Sequence, residues 1–382
     1  QRGERSLFGV PERFMRPRLV LLASVVVLVA FGLLMVFSAS SVTALNSTGD
    51  AAYYLKRQLA FIALGTAVAV VLAKVDYHVW VRSALMIVWV VTVVLLVAVV
   101  ALGTDNGMGA TRWIDLGFFD LQPSEFAKIT VIFTAANVAE QYYERGSIDF
   151  AHFLVLLGVG VGLPLALIIA QPDKGTTMVC GLTLVVMGYL AGMPKRYLFL
   201  ALLLAGGAFV GLSFKDDYSR ARFLTMFDPW ADPYGNGWQL IQGFYAFGSG
   251  GLLGVGVGFS RQKYAYLPMA HNDFIFAVIG EEWGFVGSVV VLTLLCMLIL
   301  RLMRMGERQQ EPFGRVYCYS VASILLFHVF VNVGMTVGLM PVMGIPLPFM
   351  SYGGSSLIAF TILLFIAVRL DASTRQFTLN KF

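Results

Sequence analysis

The sequence predicts an all-α integral membrane protein of ten transmembrane helices, with a large extracytoplasmic loop between helices seven and eight. Three observations predict it. The chain is 58% hydrophobic and only 13% charged, whereas a soluble domain averages about 25% charged residues. Its apolar residues arrive in blocks of about 20, enough helix to cross roughly 30 Å of hydrocarbon. The blocks lack the alternating pattern, about ten residues long, of a barrel strand. Helices are then the structure that satisfies every peptide group in lipid.

The expected helices cover residues 19–37, 58–73, 83–103, 123–140, 151–170, 175–193, 196–214, 274–300, 316–340 and 349–369. The first ends in Ser38-Ala39-Ser40, which resembles a signal-peptidase site. The run is too long for a typical signal core and more spans follow, so it reads as a retained helix. No fixed-period repeat or low-complexity linker divides the chain. Residues 19–370 are expected to form one membrane domain with its loop at 215–273, between an N-terminal segment 1–18 and a tail 371–382.

Ten spans put both termini on one side. That side collects 17 of the 27 Lys and Arg residues, among them Arg5, Arg18, Arg82, Arg145, Arg304 and Arg375. By the positive-inside bias it is cytoplasmic. The other side has nine, and Lys128 lies inside a span. The net charge of +5 is thus an orientation signal, and no nucleic-acid partner is expected. Cys180, Cys296 and Cys318 lie in apolar runs without a CxxC pair, so neither disulfide nor metal cluster is expected.

The outward face carries the polar material, in loops 103–122 and 215–272. Within the second, Gly237–Phe247 is apolar and aromatic and reads as a helix lying in the interface. The following stretch, Gly248 to Glu282, is glycine-rich, then basic at Arg261 and Lys263, then places His271 and Asp273 before an apolar run. Its glycines do not match GxGxxG and no βαβ unit surrounds them, so a nucleotide site is excluded. They instead let the backbone pass close to substrate or another helix. Asp273 is a candidate catalytic base; the alternative is a helix N-cap. Glu281 lies eight residues on, near the same helix face.

Other candidates line the same side. In Gln122-Pro123-Ser124-Glu125-Phe126-Ala127-Lys128, Pro123 suits a first helical turn, and Glu125 and Lys128 share a face. A lysine within a span faces a polar cavity or a partner, so this is either a structural pair or an anionic pocket. Asp173 and Lys174 mark a tight turn between helices. Arg112 offers a bidentate contact to phosphate. Arg57 and Lys56 precede the second helix, as substrate contacts or snorkelling anchors. His271 is a loop histidine and His328 a core one. Ser351 opens the tenth helix, whose free N–H groups suit an anion.

Together these segments resemble the SEDS family (shape, elongation, division and sporulation) of ten-helix peptidoglycan polymerases. The resemblance is carried by GATRWIDLG with QPSEFAK, by QPDKGTT, by the GSGG…GVGVG run, by YLPMAHNDFIFAVIGEE and by LPFMSYGGSS. SRQKYAYLP, the IGEE ending and MVFSAS look like the cell-division (FtsW-type) branch, with the elongation (RodA-type) branch next. Met269 and Asn272 depart from the Glu and Thr usual in that branch.

The resemblance implies that Asp273 is the essential aspartate and lipid II the substrate, joined to a growing glycan on polyprenyl diphosphate. It also implies a class B penicillin-binding protein as partner, with other divisome proteins and membrane lipids around it, in a bacterial inner membrane. One carboxylate then suffices as general base, since diphosphate leaves without a second acid, unlike the paired carboxylates of glycoside hydrolysis. Candidate substrate contacts are Arg57, Arg112, Glu125, Lys128, Asp173, Lys263, His271 and Ser351. The sequence specifies no cofactor; a divalent cation is a further candidate to share the diphosphate charge. Two rival classes are a transporter that flips the lipid precursor and a non-catalytic divisome scaffold.

Overall fold

The computed structural model describes residues 6–7, 10–74, 85–103, 112–117, 119–215, 217–264 and 266–379. Arg5, Arg82 and the Gly109–Thr111 part of the first outward motif lie outside the described residues. Most of the described chain is helix. The first four helices are α1 (Glu12–Thr48), α2 (Tyr53–Lys74), α3 (Leu85–Leu102) and α4 (Pro123–Ala139). Next come α5 (Phe150–Ala170, with a π-helical stretch at Gly158–Gly162), α6 (Lys174–Leu190) and α7 (Lys195–Ser213). Two short helices follow, α8 (Asp217–Thr225) and α9 (Trp238–Gly250). The last three are α10 (Ile275–Glu307), α11 (Pro312–Thr336) and α12 (Gly354–Leu379). Two antiparallel ribbons pair β1 (Ser6–Leu7) with β2 (Val10–Pro11) and β3 (Ile114–Asp115) with β4 (Asp120–Leu121).

Seven described helices are long and apolar enough to cross a membrane: α1, α2, α5, α7, α10, α11 and α12. The α3 and α6 segments are apolar but shorter, and α4 has 17 residues and carries Glu125 and Lys128. The protein is therefore an α-helical membrane protein. One apolar core joins α1, α2, α4, α6 and α9–α12.

Several ends differ from expectation. α1 runs unbroken through Ser38-Ala39-Ser40, with the Ser40 hydroxyl satisfied within the helix by the Val36 carbonyl at 2.6 Å. α12 starts at Gly354 rather than 349 and continues to Leu379. Its Asp371 is buried against Arg18 (Nε–Oδ2 2.8 Å), tying the last helix to the first. α9, expected to lie in the interface, buries Leu240, Ile241 and Ala246. Its Phe247 meets Phe276 of α10 with ring centroids 5.8 Å apart.

α10 is broken at Gly284, whose φ of 66° and ψ of −166° are non-helical. The Glu281 and Glu282 carbonyls freed there accept from the amides of Val255 (2.9 Å) and Gly256 (3.0 Å). In return Phe285 and Val286 donate to Gly251 and Leu252 at 2.9 and 3.1 Å. The glycine-rich run therefore mends a broken helix. A side chain at Gly250 or Gly254 would strike the α10 backbone.

Between α11 and α12, residues 337–353 form neither helix nor strand, yet Ile345, Leu347, Phe349 and Met350 are buried. Buried peptide groups must find partners, and here side chains supply them. Asn332 donates to the carbonyls of both Asp273 (2.8 Å) and Ile345 (2.7 Å). Gln58 donates to the Ser351 carbonyl at 3.1 Å and accepts from the Gly353 amide at 3.4 Å. Asn332 is fully buried. Asn332→Leu is expected to cost about 2–4 kcal/mol, because two buried carbonyls lose their donor. Denaturant titration in detergent checks this, and an unchanged midpoint would contradict it.

Candidate active site

Asp273 stands at the junction of the Gly248–Asn272 loop with α10. Phe274, not Asp273, is the helix N-cap, and no side chain caps the helix. The simple capping role is therefore unfilled. The Asp273 side chain is buried with Oδ1 unpartnered. Burial pushes its carboxyl up to about 6, opposed by the positive charge of Arg222.

The cations near it are held by backbone. Arg222 of α8 donates to the Val342 carbonyl at 3.1 Å. Arg112 donates to the Pro172 carbonyl at 2.8 Å, and its Nε is buried without a partner. Gly344, in the buried loop at φ +68°, lies close to both Asp273 and Arg112. A Cβ there would sit 3.9 Å from Asp273 Oδ2 and 4.0 Å from Arg112 Nη1. The missing side chain at 344 thus leaves the space beside both groups open.

A cavity of about 840 Å³ opens beside this loop. One end carries Arg112, Lys174, Lys215 and Arg222; the rest is walled by residues such as Leu165, Met178, Leu202 and Phe209 from α5, α6 and α7. Val342 and Met343 line it, whereas Gly344 and Asp273 do not. Apolar walls with a cationic end match an anionic head on a hydrocarbon chain.

Asp173, nearly fully buried, accepts from the Thr176 amide (3.2 Å), the Ser124 hydroxyl (2.9 Å) and Gln122 Nε2 (3.3 Å). Burial raises its carboxyl, but the Arg112 charge and these donors outweigh burial and hold it below the usual range. It caps α6 and faces Arg112. Glu125 and Lys128 form a buried pair at 2.7 Å. Lys128 also meets His328 Nε2 at 3.0 Å and the Phe360 ring at 5.2 Å. These partners already surround the Lys128 charge.

The remaining candidates are engaged elsewhere. His271 packs its ring against Tyr54 at 4.5 Å and Tyr352 at 5.8 Å. Burial lowers it to about 4, so it is neutral at pH 7. Ser351 uses its hydroxyl within the loop, accepting from the Leu347 amide at 2.8 Å. Arg57 donates to the Tyr53 hydroxyl at 2.7 Å. Lys263 donates to the Gly258 carbonyl at 2.6 Å and pairs with Glu282 at 3.6 Å. None of these four lines the cavity.

Arg222, Asn332 and Gly344 went unmarked in the sequence. Arg222 is one of several loop cations; only the fold selects it. Among the described residues, no three His, Cys, Asp or Glu side chains converge as a metal-binding group, and all three cysteines are free.

This is a helical membrane protein with a buried carboxylate beside a largely apolar cavity that four basic side chains line. Residues 18–376 match the FtsW/RodA/SpoVE family of cell cycle proteins. The chain is 39% identical to the probable peptidoglycan glycosyltransferase FtsW of Geobacter metallireducens, covering 94% of this chain and 95% of that one. It is 38% identical to stage V sporulation protein E of Bacillus subtilis, covering 89% and 93%. Its fold resembles a chain of a peptidoglycan synthase complex that coordinates polymerization and crosslinking, with TM-score 0.73, 29% identity and 93% and 98% coverage. It also resembles the crystal structure of Thermus thermophilus rod shape determining protein RodA, with TM-score 0.67, 26% identity and 93% and 96% coverage. The chain belongs to the FtsW/RodA/SpoVE family.

Because Lys128 neutralises a buried carboxylate, Lys128→Met is expected to destabilise the fold by about 3–5 kcal/mol. Adding Glu125→Gln should recover most of that loss. A stable single variant, measured by thermal melting in detergent, would contradict the pairing.

Proposed function

We propose that this chain is a peptidoglycan glycosyltransferase that polymerises lipid II into glycan strands during cell division. Relatives named for that activity, 39–40% identical over most of the chain, support the reading. So does the cation-ended apolar cavity beside Asp273. The observation that carries it is the buried Asp273 carboxyl, with an unpartnered oxygen and the charge of Arg222 acting on it, beside a cavity that Arg112 and Arg222 line.

In this reading ten helices cross a bacterial inner membrane with both termini cytoplasmic, and the site opens on the outer face. The substrate's apolar chain lies along α5, α6 and α7. Its diphosphate meets Arg112, Lys174, Lys215 and Arg222, which offset the charge growing on the leaving group. Asp273 takes the proton of the acceptor sugar hydroxyl as that oxygen attacks the anomeric carbon. The bond from that carbon to the diphosphate oxygen breaks, and its electron pair leaves with the diphosphate. A single displacement inverts the centre, turning an α-linked donor into a β-linked glycan.

Arg112 also holds Asp173 ionised, so α6 presents its N-terminal turn to the cavity with the Lys174 ammonium beside it. Glu125 and Lys128 act behind this as a structural pair. The partner is a class B penicillin-binding protein that crosslinks the strands, alongside other divisome proteins. No cofactor step is required of the residues described.

Above pH 6 the base is ionised and ready; as pH falls through about 6, its folded-state pKa, polymerisation should fall about tenfold per pH unit. Asp273→Asn should make no glycan from purified lipid II in vesicles. The raised pKa also means that ionised Asp273 destabilises the fold. The penalty is absent below the ordinary value of 3.8 and complete above about 6. The same variant should therefore melt at no lower temperature than the parent at pH 8, and be stabilised by up to about 3 kcal/mol. Normal polymerisation by Asp273→Asn would refute the assignment.

A further inference from the structure

The Lys263–Glu282 contact takes no part in the chemistry above, yet it closes the chain around the proposed base. Lys263 precedes Asp273 and Glu282 follows it by similar spacings. Lys263 Nζ lies 3.6 Å from Glu282 Oε1, with the side chains 5% and 0% exposed. The same ammonium donates to the Gly258 carbonyl at 2.6 Å. Ser38 of α1 presents its hydroxyl to both Glu282 oxygens, at 2.6 and 2.8 Å. Neighbouring Glu281 grips the preceding residues through the Ser260 hydroxyl and the amides of Arg261 (3.0 Å) and Gln262 (3.4 Å). Both glutamates sit at the break in α10, where a helix is least able to hold its own geometry.

An ammonium meant for a diphosphate would be open to it. This one is buried, paired and absent from the cavity wall. Nor does stability explain it, since apolar replacements for buried ion pairs are often neutral or stabilising. What the contact does fix is the path of residues 263–282, with Asp273 near its middle.

We propose that Lys263 and Glu282 are positioning residues, whose ion pair sets where the Asp273 carboxylate stands relative to Gly344. The inference rests on Asp273 being the base. A displacement of about 1 Å costs on the order of 10²-fold in rate, whereas losing a contact made equally to the diphosphate of bound substrate raises KM.

The test measures lipid II polymerisation by the full chain in vesicles, comparing Lys263→Met, Glu282→Gln and the double variant. Each single change should lower kcat by about 10- to 10²-fold with KM within about twofold. The double should lose no more than the worse single, since both act through one contact. It also leaves no buried charge unpaired, so it serves as the folding control by size exclusion and melting. A raised KM at unchanged kcat in Lys263→Met would overturn the inference, as would losses that multiply in the double or normal kcat in the folded double. Failure of the parent chain to polymerise lipid II would instead remove the reading beneath it.

Discussion

The structure depends on a stretch of irregular backbone buried inside a helical bundle. Residues 337–353 run through the core as neither helix nor strand, where an unsatisfied peptide group costs several kcal/mol in lipid. Side chains from other helices meet that demand: Asn332 from α11, Gln58 from α2 and Arg222 from α8. Each of these bonds also places a piece of the site. Asn332 holds Ile345 with one hand of its amide and Asp273 with the same nitrogen. Arg222 reaches the loop and brings its charge to the carboxylate. Satisfying the loop and building the site are one task.

The electrostatics follow from the same burial. A carboxylate removed from water resists ionisation, and Asp273 rises to about 6. That value suits a general base, which works best with a pKa near the operating pH. Asp173, just as buried, goes the other way because Arg112 and three hydrogen-bond donors surround it. Two aspartates in one region thus differ in kind. One is fully engaged and caps a helix; the other keeps an unpartnered oxygen.

Much of this was legible in the sequence. The apolar blocks announced the helices, the Glu125–Lys128 spacing announced their pairing, and Asp273 stood out before an apolar run. The motifs in order pointed to the family. What remained hidden needed three dimensions. The break at Gly284 looked like an ordinary glycine in a long apolar helix. Lys263, a loop cation before the candidate base, read as a substrate contact; its neighbour in the fold, Glu282, lies two residues before the break. Ser38, read as part of a family motif and as the end of a retained helix, turned out to hold Glu282. The seventeen-residue buried loop could not be foreseen, since its apolar residues mimic the start of the next helix.

The central claim is that a buried carboxylate at position 273, poised by burial against the charge of Arg222, accepts the proton of the attacking sugar. Infrared difference titration of isotope-labelled aspartate, with Asp273→Asn as the blank, reads that carboxyl directly. The account predicts a protonated carbonyl band that disappears near pH 6, at the pH where polymerisation reaches half its maximum, and that moves to higher pH in Arg222→Gln. A band already absent at pH 5, or one still present at pH 8, would contradict it.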